Sequence, residues 1–184
     1  MLDKKNFYII TGGPGVGKTT LINDLVKRGY NCVPEVAREI IKNQVATGGN
    51  ALPWGDTKEY SKRMLSYSIR DFKNLSQKED LYFFDRGIPD SLGYERLMNF
   101  EPNIELLNAV NEYRYNKRVF ILPPWKEIYK TDSERKQDFD VAVETYHVMK
   151  KTYNDMGYSS IDIPCLSIEK RSGYILQYIK RLSD

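Results

Sequence analysis

The stretch that most limits what this chain can become is Tyr8 to Thr20, Y-I-I-T-G-G-P-G-V-G-K-T-T. A short apolar run, Phe7 to Ile10, breaks into Gly12, Gly13, Pro14, Gly15, Val16, Gly17, Lys18 and Thr19, which fits the phosphate-binding pattern G-x-x-x-x-G-K-[ST]. A loop wrapped round a triphosphate must turn its backbone N–H groups inward, and glycine reaches the required dihedrals without a Cβ clash. The helix that follows adds unpaired N–H donors and the positive end of its dipole. Lys18 reaches the β- and γ-phosphates as a mobile point charge, and the Thr19 hydroxyl can ligate Mg²⁺. Thr20 is placed to reach the α-phosphate. A strand before the pattern and a helix after it argue against a chance match.

Composition excludes several classes. At 184 residues the chain suits one domain, 1–184, large enough to bury a substantial core. A hydrophobic share of 41% beside 29% charged residues describes a soluble globular protein. The net charge of +3, with no basic cluster, argues against a nucleic-acid partner. Cys32 and Cys165 give neither a disulfide framework nor a zinc pattern. A single histidine, His147, argues against a histidine-based metal site. No signal segment and no apolar run near 18 residues is present, so no membrane span is expected and the cytoplasm is the simplest compartment.

Along the chain, apolar runs alternate with helical spacings. Phe7–Thr11 reads as a buried strand and Lys18–Arg28 as a helix capped by Gly29. Tyr30–Val33 reads as a second strand, and Glu35–Ile41 opens a helix that fades near Gly48-Gly49-Asn50. An irregular, mobile loop around Pro53-Trp54-Gly55 leads to a long helix, Asp56–Lys78, with Asp56 as its N-cap. Leu81–Phe84 is a continuous apolar run ending at Asp85, the pattern of a parallel strand covered on both faces. Pro89–Met98 and Asn103–Tyr115 read as helices, Val119–Leu122 as a fourth strand and Ser160–Ile163 as a fifth. A long helix from Phe139 ends at Gly157, and Ser167 caps a last one that carries Ile168, Ile175, Ile179 and Leu182. The alternation predicts a three-layer α/β fold on a parallel sheet, with ligands at the carboxyl ends of its strands.

The polar clusters follow such strand ends. Asp85, after four large apolar residues, suits either a Mg²⁺-holding carboxylate or a cap for the next helix. Arg86 suits phosphate oxygens, or an ion pair with Asp85 or Glu35. Where hydrolytic ATPases commonly place a water-orienting Glu after the Asp, this chain has Arg86, which favours transfer to a bound acceptor over attack by water. Glu35 and Arg38 share a helix face, either as proton acceptor and acceptor-binding arginine or as an exposed ion pair. In the charged stretch from Lys126 to Gln137, Arg135 and Lys136 suit a lid that brings cations to a moving phosphoryl group, or simply a solvated loop. Trp54 and Trp125 suit stacking on a ring or filling of a loop core.

Four stretches together resemble a known family: Thr11–Thr20, V-P-E-V-A-R-E-I-I (Val33–Ile41), F-F-D-R-G-I-P-D (Phe83–Asp90) and L-P-P-W-K-E-I-Y-K-T-D-S-E-R-K-Q-D-F (Leu122–Phe139). The set is similar to the AAA-type NTPase domains that include the ribosylnicotinamide kinase domain of NadR and the eukaryotic translocation-defect proteins. The resemblance implies a kinase-like strand order 2-3-1-4-5, binding of ATP or GTP with Mg²⁺, and a lid at about 123–140. Asp85-Arg86 is also similar to the acid-Arg-Ser motif of deoxynucleoside kinases, with Gly87 in place of Ser, and Pro34-Glu35 reverses their Glu-Pro pair.

The expected activity is a Mg²⁺-dependent phosphotransferase that acts on a small, nucleoside-like hydroxyl acceptor. Lys18, Glu35, Asp85, Arg86 and Arg135 are its candidate catalytic residues, Gly12 through Thr20 its nucleotide cradle, Glu35, Arg38 and Arg86 its acceptor contacts, and Thr19 with Asp85 its metal ligands. The rival expectation is a slow nucleotide-dependent switch, or an ATPase or GTPase, that signals to a protein or lipid partner.

Overall fold

The computed structural model describes residues 1–101, 103–129 and 139–181. In chain order its elements begin with β1 (Leu2–Asp3), β2 (Phe7–Gly12), α1 (Lys18–Lys27), β3 (Asn31–Val33), α2 (Val36–Thr47) and α3 (Thr57–Leu75). They continue with β4 (Tyr82–Asp85), α4 (Ile88–Leu97), α5 (Ile104–Glu112), β5 (Tyr113–Arg114), β6 (Arg118–Leu122), α6 (Phe139–Asp155), β7 (Ser159–Asp162) and α7 (Ile168–Lys180).

The main sheet is parallel, with order β3-β4-β2-β6-β7. Counting only these strands in chain order gives 2-3-1-4-5, as the resemblance implied. The alternation of side chains along β2 explains the three layers. Phe7 and Ile9 point to one face, where they join Phe84, Phe72, Leu92 and Tyr153 in one apolar cluster. Tyr8 and Ile10 point to the other, against Leu21, Leu25, Phe120 and Ile175. All six residues of β2 are buried, so burial on both faces is what the unbroken apolar run encodes.

Two expectations need correction. The helix expected to reach Tyr115 stops at Glu112, and Tyr113–Arg114 instead pairs parallel with Leu2–Asp3 in a second, two-stranded sheet. Burial of Tyr113 explains the switch: its ring meets Phe72 edge-on at 5.5 Å, and the Lys4 amide donates to the Arg114 carbonyl at 2.8 Å. The loop before α3 is tied down rather than loose. Ala51 donates its amide to the Gln44 side chain at 3.0 Å, Asp56 donates to the Asn50 carbonyl at 2.7 Å, and Ala51 and Leu52 are buried. Asp56 does cap α3, accepting the Glu59 amide at 3.0 Å.

Because β2 lies at the centre and β4 beside it, their carboxyl ends deliver Gly12 and Asp85 to one edge of the sheet. β3 pairs with β4 on its far side and delivers Glu35 close by. The site is assembled from these three ends.

Candidate active site

After Gly12 the chain loops through Gly13–Val16 and enters α1 at Lys18. Gly17 caps α1 in the left-handed region, at φ 88°, and a Cβ there would stand 3.1 Å from the Arg171 guanidinium. Gly15, at φ 73°, is equally bound to its type, since a Cβ would fall 2.6 Å from the Tyr129 ring. The loop therefore has its left-handed turns where glycine stands, and α1 directs its free amides into a cleft of about 920 Å³.

Pro14 through Thr20 line this cleft on one side, and Glu35, Arg38, Arg86 and Asp90 line it on the other. Lys18 is buried among these charges. Burial and the neighbouring Arg86 pull its pKa down, while Glu35, Asp85 and Asp90 oppose them. Arg86 is held on two sides: its Nε donates to Glu35 Oε1 at 2.6 Å and its Nη1 to Asp90 Oδ1 at 3.1 Å. Of the pairings its sequence allowed, the one with Glu35 forms; Asp85 makes no ion pair with it. Arg86 also has φ 71°, a conformation that costs a non-glycine residue about 1–3 kcal/mol. The strand is nonetheless prolonged through it, since the Arg86 amide donates to the Ile10 carbonyl at 3.0 Å.

Arg38 forms the ion pair with Glu35 that its spacing allowed and also reaches the phosphate loop. Its Nε lies 3.7 Å from Glu35 Oε2, and its Nη2 donates to the Thr19 hydroxyl at 2.9 Å. Burial alone would raise the Glu35 pKa, but Arg86, Lys18 and Arg38 outweigh it and hold the carboxyl at about 2. Asp85 differs. It is set back from the cleft, beside a small cavity of about 20 Å³ shared with Val33, Pro34, Ser68 and Asp71. Its Oδ1 is buried with no hydrogen-bond partner, and burial raises its pKa against the pull of Lys18. The Thr19 hydroxyl and this unsatisfied carboxylate oxygen are hard oxygen donors, a chemistry that suits Mg²⁺. Arg135 and Lys136 lie outside the described residues.

Sequence reasoning missed Asp90. Its carboxylate accepts from the Thr11 hydroxyl, the Tyr153 hydroxyl, Arg86 and the Gly87 amide, the last at 2.8 Å. It thus joins the end of β2, the start of α4 and the last turn of α6. A local signal existed: an acid three residues after Gly87, with Pro89 in the first helical turn, is the pattern of a helix start. Trp54, by contrast, is 69% exposed and serves neither the cleft nor a loop core. Beyond the charged cluster the cleft is walled by Ile41, Tyr60, Met64, Tyr94, Leu97 and Met98, so the half formed by the glycine-rich loop opens into a largely apolar half.

A family model described as an AAA domain matches residues 7–171. The chain belongs to this AAA domain family. Among solved structures, this AAA domain superposes on NadR in complex with NR with a TM-score of 0.71 at 13% identity, over 98% of this chain and 50% of that one. It thus spans about half the length of the NadR chains it matches. Thymidylate kinase from Candida albicans gives a TM-score of 0.61 at 15% identity, over 96% of this chain and 92% of that one. Deoxyadenosine kinase from M. mycoides gives 0.58 at 16% identity, over 96% and 99%. The AAA domain therefore has the fold of phosphate-loop kinases. A comparison with curated proteins gives no match. Among the described residues no helix is long and apolar enough to cross a membrane.

Two outcomes follow from the cluster. Asp90→Ala leaves two buried hydroxyls without an acceptor and Arg86 half-paired, so it should lower unfolding free energy by about 3–5 kcal/mol in denaturant titrations. A loss below about 1 kcal/mol would mean that Asp90 is not the tie described. Glu35 has its folded pKa, about 2, below the ordinary 4.5, so its ionised form stabilises the fold above pH 4.5 and that contribution fades as pH falls towards 2. Unfolding free energy measured across this window should fall less steeply for Glu35→Gln than for the parent chain. Equal slopes would contradict the assigned pKa.

Proposed function

We propose that this AAA domain is an ATP-binding, Mg²⁺-dependent phosphotransferase that moves the γ-phosphoryl group to a hydroxyl of a small, nucleoside-like acceptor. The observation that carries this reading is the two-part cleft. Arg86, fixed by Glu35 and Asp90, stands between a phosphate cradle and an apolar-walled chamber large enough for a second substrate. A nucleotide switch or a plain hydrolase has no need of that chamber. The likeness of the fold to nucleoside and nucleotide kinases supports the same acceptor class.

Each residue then has a task. The loop amides and Lys18 hold the triphosphate, and the depressed pKa of Lys18 returns towards its ordinary value beside phosphate charge. Thr19 directly and Asp85 through water would hold Mg²⁺, which when bound neutralises charge on the β- and γ-oxygens. Arg86 stands ready to stabilise the equatorial oxygens of the moving group. Glu35 stays ionised at neutral pH and accepts a hydrogen bond from the acceptor hydroxyl, aiming its oxygen at phosphorus. With a pKa of about 2 it is a weak base, which suits a loose transfer in which positioning and electrostatics dominate. Arg38 must release the Thr19 hydroxyl when the metal binds, and its exposed side chain leaves it free to turn to the acceptor. The products are ADP, a phosphate ester and the hydroxyl proton.

The test is incubation with γ-labelled ATP, Mg²⁺ and a panel of nucleosides. Label should pass to at least one acceptor. Release of label only as inorganic phosphate, or only with a protein or lipid added, would instead favour the switch or hydrolase. Lys18→Ala should lower any transfer by at least about a hundredfold while the melting curve is kept, since it removes the cation at the β/γ-phosphates. Parent-like rates in that variant would remove the scheme.

A further inference from the structure

Arg171 sits in the first turn of α7, where the helix dipole disfavours a cation, and it is only 2% exposed. A buried charge of this kind is normally matched by a carboxylate. Among the described residues none pairs with it. Its partners are neutral. Nε donates to the Leu166 carbonyl at 2.9 Å, Nη1 donates to the Val16 carbonyl at 3.2 Å, and the guanidinium lies 4.6 Å from the centre of the Trp125 ring. These contacts join three segments: the phosphate loop, the turn after β6 and the turn before α7.

The bond to Val16 has a definite geometric effect. In a planar trans peptide the carbonyl and the following N–H point in opposite directions. By drawing the Val16 carbonyl towards α7, Arg171 turns the Gly17 amide the other way, and Gly17 lines the cleft. A cation bonded to one end of a peptide also polarises the N–H at its other end, which makes it a better donor. Gly17 is the residue that permits so close an approach, because a Cβ there would stand 3.1 Å from Nη1. Fold stability alone does not explain a cation left unmatched among the described residues at the wrong end of a helix. Negative charge arriving on the far face of the loop does.

We propose that Arg171 is a positioning residue of the nucleotide site: it fixes and polarises the Val16–Gly17 peptide so that its N–H serves phosphate, and the bound polyphosphate supplies the negative charge that this buried guanidinium does not find among the described residues. This rests on the reading of the cleft as a triphosphate site. It assigns a role to a residue that touches neither substrate, and makes the back of the loop part of the site.

Calorimetry of the full chain with a non-hydrolysable ATP analogue and, separately, with inorganic tripolyphosphate, both with Mg²⁺, tests the assignment. Arg171→Met should weaken both ligands by the same factor, about 10- to 100-fold, the value of a hydrogen bond to a charged group. Arg171→Lys keeps a charge but loses the planar fork, so it should weaken both equally by a smaller factor, and it guards against a methionine variant that fails to fold. A lowered melting temperature with both affinities unchanged would make Arg171 merely structural and overturn the proposal. Loss confined to the ATP analogue would place its effect on the base side, through Trp125, and overturn it as well. If the parent chain takes up neither ligand, the triphosphate reading itself falls and the proposal with it. Binding by the parent and by Arg171→Met alike sinks only the role of Arg171.

Discussion

The interaction on which the rest of the site depends is the bidirectional hold on Arg86. Asp90 takes one side of its guanidinium and Glu35 the other, and each of those carboxylates is itself anchored to a different part of the fold. Asp90 is bonded to β2, α4 and α6 together, while Glu35 precedes α2 at the end of β3. An arginine on a flexible stem becomes a fixed charge when both ends of its planar group are engaged. The unfavourable backbone conformation of Arg86 persists because this frame over-determines it. Remove the frame and the residue has every reason to relax.

The same hold sets the electrical character of the cleft. Lys18, Arg38 and Arg86 lie close to Glu35, Asp85 and Asp90, and the different surroundings of Glu35 and Asp85 divide their roles. Glu35 is surrounded by cations and stays ionised. Asp85 is buried with one unsatisfied oxygen and holds its proton more readily. Two carboxylates a short way apart on neighbouring strand ends are thus pushed in opposite directions by their surroundings, so that one suits hydrogen bonding to an acceptor and the other suits a hard cation.

Much of this was legible in the chain itself, and the limits are physical. The phosphate loop, the five strands of the main sheet and the polar residues that follow them are local patterns in the chain, and the sheet runs where those patterns put it. The family likeness carried the strand order, which no local pattern encodes. Asp90 was passed over because its importance comes from Thr11 and Tyr153, which lie 79 and 63 residues away. Tyr113 looked helical because its apolar spacing continues that of α5, and only its pairing with Leu2–Asp3 makes it a strand. Arg171 lies in a helix rich in charge, and nothing in its neighbours along the chain marks it as the one turned inward. Propensity reports what a segment prefers alone; partners decide the remainder.

The contrasting settings of the two tryptophans have a practical consequence. Trp54 stands in solvent and does not line the cleft, whereas Trp125 lies beneath the guanidinium of Arg171, one residue removed from the back of the phosphate loop. A small collisional quencher reaches the first freely and the second only in part. The emission that survives quenching therefore comes mainly from an indole in contact with the machinery of the loop, and this chain carries its own optical gauge of what happens there.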